Sequence, residues 1–202
     1  VMPAAMDEPP AAGAKLVTVY QSNPDRGLPS HLATIVLLDP ATGALLAVMD
    51  GRYITEARTA AVSAVSVRLL ARPDADVLAV LGSGVQARSH VEAIRLVRPL
   101  REVRVWSRSS ARRDAFADEM RREFDLAVRA AASAGDAVRG ASIVALTTAS
   151  REAVIDSADV GPGTHIVGVG ACRPDQREMP AALVARARVF VDSRAGALQE
   201  AG

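Results

Sequence analysis

The sequence predicts an α/β protein in which a doubly wound parallel sheet accompanies a smaller antiparallel sheet. From Arg72 onward, short apolar runs alternate with amphipathic helical segments, a pattern typical of parallel strands joined by helical crossovers. The first 50 residues differ, because β-branched runs there are separated by turn signals. Two sheets of different type are therefore expected, in that order along the chain.

The composition argues against a nucleic-acid-binding, membrane-bound or disulfide-stabilised protein. The 202 residues include 24 Lys and Arg against 23 Asp and Glu, so the net charge provides no field that would attract nucleic acid or an anionic membrane. A single cysteine excludes an intramolecular disulfide, and no apolar run reaches the roughly 18 residues needed to span a bilayer. We expect a cytoplasmic protein without nucleic-acid or membrane partners.

The first part of the chain predicts a small antiparallel sheet followed by a long helix. Residues 1–13 are rich in Pro and Ala and predict a loop. Thr55 is predicted to be the N-cap of a helix that runs through Leu70. The predicted strands are 15–20, 31–38 and 44–49, with the turn DPATG at 39–43 between the last two.

The second part predicts six strands with mostly helical connections. The predicted strands are 77–81, 103–106, 126–129, 142–146, 165–169 and 189–191, and the predicted helices are 85–97, 110–124, 134–139 and 180–187.

A dinucleotide-binding turn is predicted between the first strand and helix of this second part. The strand runs directly into the sequence GSGVQA, in which Gly82 permits a tight turn and Gly84 leaves room for a pyrophosphate. Ala87 stands in the third glycine position, and the helix N-terminus offers free N–H groups to the phosphates. In this context the motif indicates a Rossmann-type domain rather than merely a tight turn.

The end of the second strand indicates which cofactor this domain binds. An acidic residue would accept hydrogen bonds from the ribose of NAD, but here Ser107, Arg108 and Ser109 follow the strand, with Arg112 and Arg113 in the next helix. These groups favour the 2′-phosphate of NADPH, with NAD as a possible alternative. Arg112 and Arg113 could instead belong to a solvated helix face.

The segments GAKLVTVY, GLPSH, AVMDGRYITEARTAA, LGSGVQA and GTHIVGVGACRPDQREM resemble the ornithine cyclodeaminase/mu-crystallin family over nearly the whole chain. The resemblance implies a homodimer whose smaller sheet domain binds substrate together with the Rossmann domain. The expected limits are 1–71 for part of the substrate and dimerisation domain, 72–195 for the Rossmann domain, and 196–202 for the start of a C-terminal return segment. It also implies that family segments precede Val1 and follow Gly202.

The resemblance assigns roles to individual residues. Lys15 and Arg58 match residues that hold the substrate carboxylate, with Lys15 near the reacting carbon. Lys15 is also the only lysine among the 24 basic residues. From the residues alone, a surface position for Lys15 and an ion pair between Arg58 and Glu56 are the alternatives. The expected cofactor contacts are Ser30, Gly82, Gly84, Val85, Gln86, Ser107, Arg108, Ser109, Arg112, Thr147 and Val169.

One departure bears on the reaction. Deaminating family members have a catalytic Asp two residues after the glycine of the Val169–Gly170 turn, where this chain has Cys172. A thiol is an ineffective general base at pH 7, and the ACRPDQRE segment is nearer to mu-crystallin and its reductase relatives. The resemblance therefore favours NADPH-dependent reduction of a cyclic imino acid, with Lys15 and Cys172 as candidate catalytic residues.

Three alternative functions stay open. The protein could be an ornithine cyclodeaminase, an amino-acid dehydrogenase such as alanine dehydrogenase, or a noncatalytic NADPH-dependent binding protein.

The three histidines, His31, His90 and His165, form no metal-binding spacing with Cys172, so structural roles and no metal site are expected. Ser63 and Ser66 have no histidine near them in sequence, and no nucleophilic triad is predicted.

Overall fold

A computed structural model describes residues 1–20 and 22–200 of the chain. The chain divides into two compact units, Val1–Arg58 and a second unit that begins at Thr59. The domain limits expected from the sequence, 1–71, 72–195 and 196–202, stay predictions, and positions 201–202 lie outside the described residues.

The first unit contains a four-stranded antiparallel sheet with its strands in sequence order. The loop predicted for residues 1–13 is wrong, because Met2 pairs with Lys15 and the two strands continue to the pair Asp7 and Pro10. Alanine and proline have low strand propensity, but here the backbone ladder of a hairpin outweighs it. The strands are β1 (Met2–Asp7), β2 (Pro10–Val19), β3 (His31–Leu38) and β4 (Leu45–Asp50).

A long helix, α1 (Gly51–Leu70), follows β4 without a loop. The predicted N-cap at Thr55 is wrong, since the helix already starts at Gly51. The Asp50 carboxylate accepts a hydrogen bond from the Arg52 N–H at 2.8 Å and caps the helix there. Gly51 suits this start, because a Cβ there would lie 3.0 Å from side-chain atoms of Ala33 and Ile35, closer than an ordinary van der Waals contact.

The second unit contains a parallel five-stranded sheet in the order β7-β6-β5-β8-β9, which confirms the predicted α/β fold class. Its strand order reverses between β5 and β8, and ligands bind beyond the carboxyl ends of the strands at such a point. The strands are β5 (Val77–Leu81), β6 (Glu102–Trp106), β7 (Val128–Ala130), β8 (Ile143–Leu146) and β9 (His165–Gly168). The helices are α2 (Val85–Arg95), α3 (Ser110–Phe124), α4 (Ala134–Val138), α5 (Ala181–Arg186) and α6 (Arg194–Glu200).

The sixth predicted strand, 189–191, is absent from the described part of this sheet. Val189, Phe190 and Val191 are exposed, and β9 pairs only with β8 among the described residues. An apolar β-branched run forms a strand only where a neighbouring strand offers its N–H and C=O groups, which local sequence cannot show.

Both faces of the parallel sheet are buried, as its crossover helices require. Along β5, Leu78 and Val80 pack into one hydrophobic cluster with α2 and α3, and Val77, Ala79 and Leu81 pack into the other with α4 and α5. Within the described ranges, no helix has both the length and the apolar composition needed to cross a membrane. The core therefore fixes the carboxyl ends of β5, β6, β8 and β9, where most candidate cofactor residues lie.

Candidate functional site

The turn after β5 is held tightly in place. Gly82 has φ of +123°, a backbone conformation that side chains with a Cβ rarely adopt. A Cβ there would also lie 2.5 Å from the Thr147 Oγ1 atom. That hydroxyl donates to the Leu81 carbonyl at 2.9 Å, so Thr147 joins the ends of β5 and β8. Both candidates thus shape the same turn.

The start of α2 leaves space and donors for an anion. Gly84 is the N-cap, and among the described residues no side chain accepts from the first-turn N–H groups. A Cβ on Gly84 would meet no described atom within 4 Å. Val85 is exposed, while the Gln86 Oε1 atom is buried without a hydrogen-bond partner among the described residues. This open, uncapped helix start fits a dinucleotide pyrophosphate.

Two serines connect this turn to the end of β6. The Ser83 hydroxyl donates to the Ser107 hydroxyl oxygen at 3.1 Å, and the Ser107 hydroxyl donates to the Ser109 carbonyl at 3.0 Å. Ser109 is the N-cap of α3 and accepts from the Arg112 N–H at 3.3 Å. The hydroxyls are therefore held in a chain beside the nucleotide turn.

The neighbouring arginines separate into two groups. Arg108 and Arg112 are exposed, and neither guanidinium has an ion-pair partner within the described ranges. Arg113 instead bonds the Asp114 carboxylate at 2.8 Å and the Ala131 carbonyl at 2.9 Å. Arg113 is therefore held by protein groups and does not lie on a solvated helix face, whereas Arg108 and Arg112 are exposed and available for a phosphate.

A buried carboxylate organises the turns after β8 and β9. Glu178 is only 2% exposed, and its Oε1 atom accepts from the Thr148 N–H at 2.6 Å and the Thr148 hydroxyl at 2.7 Å. Its Oε2 atom accepts from the N–H groups of Gly170 at 2.7 Å and Ala171 at 3.3 Å. Burial raises the pKa of Glu178, and these four donors oppose that rise. Val169, expected beside the nicotinamide, lies next to this contact.

The two cations expected to hold a carboxylate are close enough to interact. Lys15 lies half-buried in the middle of β2, and its pKa is lowered first by burial and then by the positive charge of Arg58. Neither has an ion-pair partner in the part of the chain that the structure describes. Glu56, the partner considered for Arg58, bonds Arg52 at 3.1 Å. Ser30, also in this first unit, accepts from the Tyr20 N–H through its carbonyl.

Cys172 is exposed, and its thiol donates to the Gln176 Oε1 atom at a sulfur–oxygen distance of 3.6 Å. The Cys172 N–H donates to the same oxygen at 3.1 Å. The thiol therefore lies on the turn after β9, hydrogen-bonded only to a neutral amide among the described residues.

Two of the three histidines, His90 and His165, contact serines on α1. His90 is fully buried, and its Nδ1–H group donates to the Gln86 carbonyl at 2.7 Å, which leaves Nε2 to accept from the Ser63 hydroxyl at 2.9 Å. His165 Nε2 lies 3.0 Å from the Ser66 hydroxyl. These serine–histidine pairs were not foreseen from the sequence, but a buried Ser63 cannot reach a substrate. Over residues 1–20 and 22–200, no group of three or more His, Cys, Asp or Glu side chains could hold a metal.

Comparison with known proteins identifies the family. The model of the ornithine cyclodeaminase/mu-crystallin family matches residues 1–202. The chain belongs to this family. Ketimine reductase mu-crystallin of Mus musculus is 44% identical over 202 residues, which cover 100% of this chain and 63% of that protein.

Solved structures within the ornithine cyclodeaminase/mu-crystallin family agree with the fold. A Thermococcus litoralis Δ1-pyrroline-2-carboxylate reductase, in complex with NADH and L-proline, superposes with a TM-score of 0.95 at 36% identity over 98% of this chain and 62% of its own. A lysine cyclodeaminase superposes with a TM-score of 0.90 at 35% identity over 98% of this chain and 58% of its own. The chain thus spans less than two thirds of the length of these relatives.

Two residues that contact the candidate cofactor residues or their immediate chain neighbours were missed from the sequence. Ser83 occupies a variable position of the GxGxxA motif, and only its 3.1 Å bond to Ser107 reveals its role. Glu178 lies ten residues beyond β9 in a polar stretch that reads as a surface loop. A glutamate flanked by Arg177 gives no local signal of burial, so tertiary structure alone identifies it.

Proposed function

We propose that the protein is an NADPH-dependent reductase of cyclic ketimine acids such as pyrroline-2-carboxylate or piperideine-2-carboxylate. The observation that carries this proposal is the pair Lys15 and Arg58, two interacting cations without a described counter-ion. Two unpaired positive charges at one place favour an anionic ligand, and a carboxylate matches both groups in shape and charge.

Lys15 also borders an apolar groove in the first unit. The groove has a volume of about 260 Å³ and is lined mainly by alanine and other apolar side chains of β1, β2 and β3, with Met2 and Ile35 as direct strand neighbours of Lys15. Apolar walls beside a charged group are typical of small-ligand sites. They suit the methylene ring of a cyclic imino acid whose carboxylate lies on the cations.

The second unit would hold the cofactor. The first-turn N–H groups of α2 bind the pyrophosphate, Ser107, Arg108 and Arg112 bind the 2′-phosphate, and the turns at Thr147 and Val169 receive the nicotinamide. When bound, reduced nicotinamide supplies a hydride for the carbon of a C=N bond. The side chains and turns of the protein orient the imino acid relative to the nicotinamide.

Reduction of a C=N bond also requires a proton, which its nitrogen takes up as the carbon receives the hydride. The lowered pKa of Lys15 makes its ammonium a readier donor than an ordinary lysine, and the same group stays beside the substrate carboxylate. The Cys172 thiol is not required for this step, because its hydrogen is directed at Gln176.

The supporting comparisons are the ketimine reductase and the pyrroline-2-carboxylate reductase named above. The absence of an acidic residue where the second strand of the parallel sheet ends favours NADPH over NADH. A homodimer and a cytoplasmic location remain part of the proposal. For the dimer, the support is a set of exposed apolar side chains in the first unit, which a second copy could cover. They include Leu16, Leu32 and Val48, which the strand register places on the face of the sheet opposite to Lys15.

One assay tests the proposed reaction. NADPH and NADH oxidation by the full chain should be followed with a panel of cyclic imino acids and with keto acids plus amines, alongside ammonia release from ornithine and lysine. We expect the fastest oxidation with a cyclic imino acid and NADPH. Ammonia release without imine reduction would identify a cyclodeaminase, and cofactor binding without any turnover would identify a binding protein.

A further inference from the structure

Glu178 is a buried carboxylate that accepts hydrogen bonds from two turns of the second unit, one after β8 and one after β9. Each oxygen accepts two hydrogen bonds, one pair from Thr148 and the other from the N–H groups of Gly170 and Ala171. No cation lies within ion-pairing distance of it among the described residues. Burial of an unpaired carboxylate is unfavourable, and only a full set of donors offsets it.

The backbone around Glu178 joins the same two turns. The Val154 N–H donates to the Glu178 carbonyl at 3.0 Å, and the Arg177 N–H donates to the Ser150 carbonyl at 3.0 Å. Gly170 and Thr148 approach so closely that no side chain would fit on Gly170. The carboxylate thus lies at the centre of a contact among residues 147–154, 169–171 and 177–178.

These turns lie at the carboxyl ends of adjacent strands, β8 and β9, beside the point where the strand order reverses. Thr147 and Val169, the candidate nicotinamide contacts, immediately precede the residues that Glu178 binds. A displacement of Thr148 or Gly170 would therefore move both candidates. Both side-chain oxygens of residue 178 must be acceptors. In an amide, the NH2 group would replace one oxygen and face the N–H donors of Thr148 or of Gly170 and Ala171.

We infer that Glu178 is a positioning residue that fixes the turns Thr147–Thr148 and Val169–Gly170 in the arrangement that receives the nicotinamide ring. This inference rests on the proposed reductase function. It assigns Glu178 no contact with substrate or cofactor. Its effect is on orientation, to which hydride transfer is sensitive, since a misplacement of about 1 Å can lower a rate by roughly 100-fold.

Glu178→Gln, Glu178→Asp and Thr148→Val in the full chain test this role, with Glu152→Gln as a matched control that removes an exposed carboxylate from a neighbouring turn. We expect Glu178→Gln to lower kcat by roughly 10- to 100-fold while the KM for imino acid changes less than about threefold. Thr148→Val removes a single donor and should give a smaller decrease in kcat. Glu178→Asp keeps two oxygens and should recover part of the rate.

A second readout does not depend on turnover. Amide hydrogen exchange at Thr148, Gly170 and Ala171 should accelerate in Glu178→Gln, and the affinity for NADPH, followed by cofactor fluorescence, should fall severalfold. Exchange in β5 and α2 should stay unchanged. If Glu178→Gln does not fold, the same measurements on the Thr148→Val and Glu178→Asp variants test the positioning role of Glu178.

Unchanged kcat and NADPH affinity in a folded Glu178→Gln variant would overturn the inference, as would equal effects in Glu152→Gln. If the parent protein reduces no imino acid, the proposed function fails instead. In that case, amide hydrogen exchange and NADPH affinity still test whether Glu178 positions the two turns.

Discussion

Gly170 lies against Thr148 so closely that a Cβ atom on Gly170 would overlap the Thr148 carbonyl oxygen. The two residues follow β9 and β8, whose parallel pairing ends at Gly168 and Leu146. The glycine is therefore required by the close approach of two backbones alone, whereas Gly82 combines a close approach to Thr147 with a positive φ.

Gly170→Ala should accordingly destabilise the protein. Overpacking at a tight backbone contact typically costs about 1–3 kcal/mol, and here the neighbouring atom is a carbonyl that cannot rotate away. Urea unfolding should show this loss. Gly161→Ala is the control, because a Cβ there would meet no described atom within 4 Å, and a change below about 0.5 kcal/mol is expected. Equal stabilities for the two variants would contradict the contact.

Regular periodicity made much of the parallel sheet predictable. The strand at 77–81 and the helix at 110–124 agree with the structure at both ends, because buried apolar runs and an N-cap serine at 109 leave little freedom. The glycine motif likewise indicated the turn before α2, since its spacing reflects local backbone geometry.

Features that depend on distant partners were not predictable. Strand β1 is mostly Ala, Met and Pro, and only its pairing with β2 makes it a strand. Residues 189–191 have the composition of a strand, but lack a described neighbour to pair with. Glu178 and Ser83 have roles defined by residues 30 and 24 positions away, which local patterns do not report.

The cofactor preference should depend on the end of β6. A phosphate that contacts Arg108 and the held hydroxyl of Ser107 gains charge-assisted hydrogen bonds of about 1.5–3 kcal/mol, or roughly 10- to 100-fold in affinity. The double variant Ser107→Asp, Arg108→Ala should therefore bind NADH more tightly than NADPH. Titration by cofactor fluorescence measures both dissociation constants.

Arg122→Ala is the control for that change, because Arg122 is an exposed arginine near the C-terminal end of the same helix. Its cofactor preference should equal that of the unmodified protein. Equal affinities of the unmodified protein for NADPH and NADH would refute the assignment.

The carboxylate clamp should be essential for turnover. Lys15→Ala and Arg58→Ala should each lower kcat/KM for the imino acid by roughly 100-fold or more, because a substrate held by one cation loses its orientation. Lys15→Arg keeps the charge and should recover binding better than Lys15→Ala. Steady-state kinetics with NADPH in excess provide the measurement.

Arg52→Ala serves as the control for the clamp, since Arg52 lies on the same helix but is paired with Glu56. It should retain nearly full activity. A loss as large as that of Arg58→Ala would mean that the general charge of α1, rather than a clamp, supports turnover.

Stability should fall on acidification through His90, which is buried, and His165, which is half-buried. Burial lowers the pKa of both His90 and His165, with the positive charge of Arg98 as a further cause for His165. The unfolded chain, with an ordinary histidine pKa of about 6.5, therefore binds protons more readily than the folded state. This contribution to stability is present above that value and is lost as the pH falls below it.

Thermal unfolding between pH 5 and pH 8 tests the histidine effect. His90→Gln should flatten the fall of Tm below about pH 6.5, because it removes a buried group whose pKa is lowered in the folded state. Parallel slopes for His90→Gln and the parent would exclude His90 as a source of the acid sensitivity.

Substitution of Cys172 tests whether the turn after β9 takes part in proton transfer. A positioned general acid or base contributes about 100-fold or more to a rate, so Cys172→Ala would show a loss of that size if the thiol had this role. We expect a loss below about threefold, because the thiol is exposed and is bonded only to Gln176 among the described residues. Cys172→Asp places a carboxylate where the family resemblance assigns one to deaminating enzymes, and ammonia release from ornithine should be measured for it beside imine reduction. Loss of reduction in Cys172→Ala together with full activity in Lys15→Ala would reverse the two assignments and exclude the proposed role of Lys15.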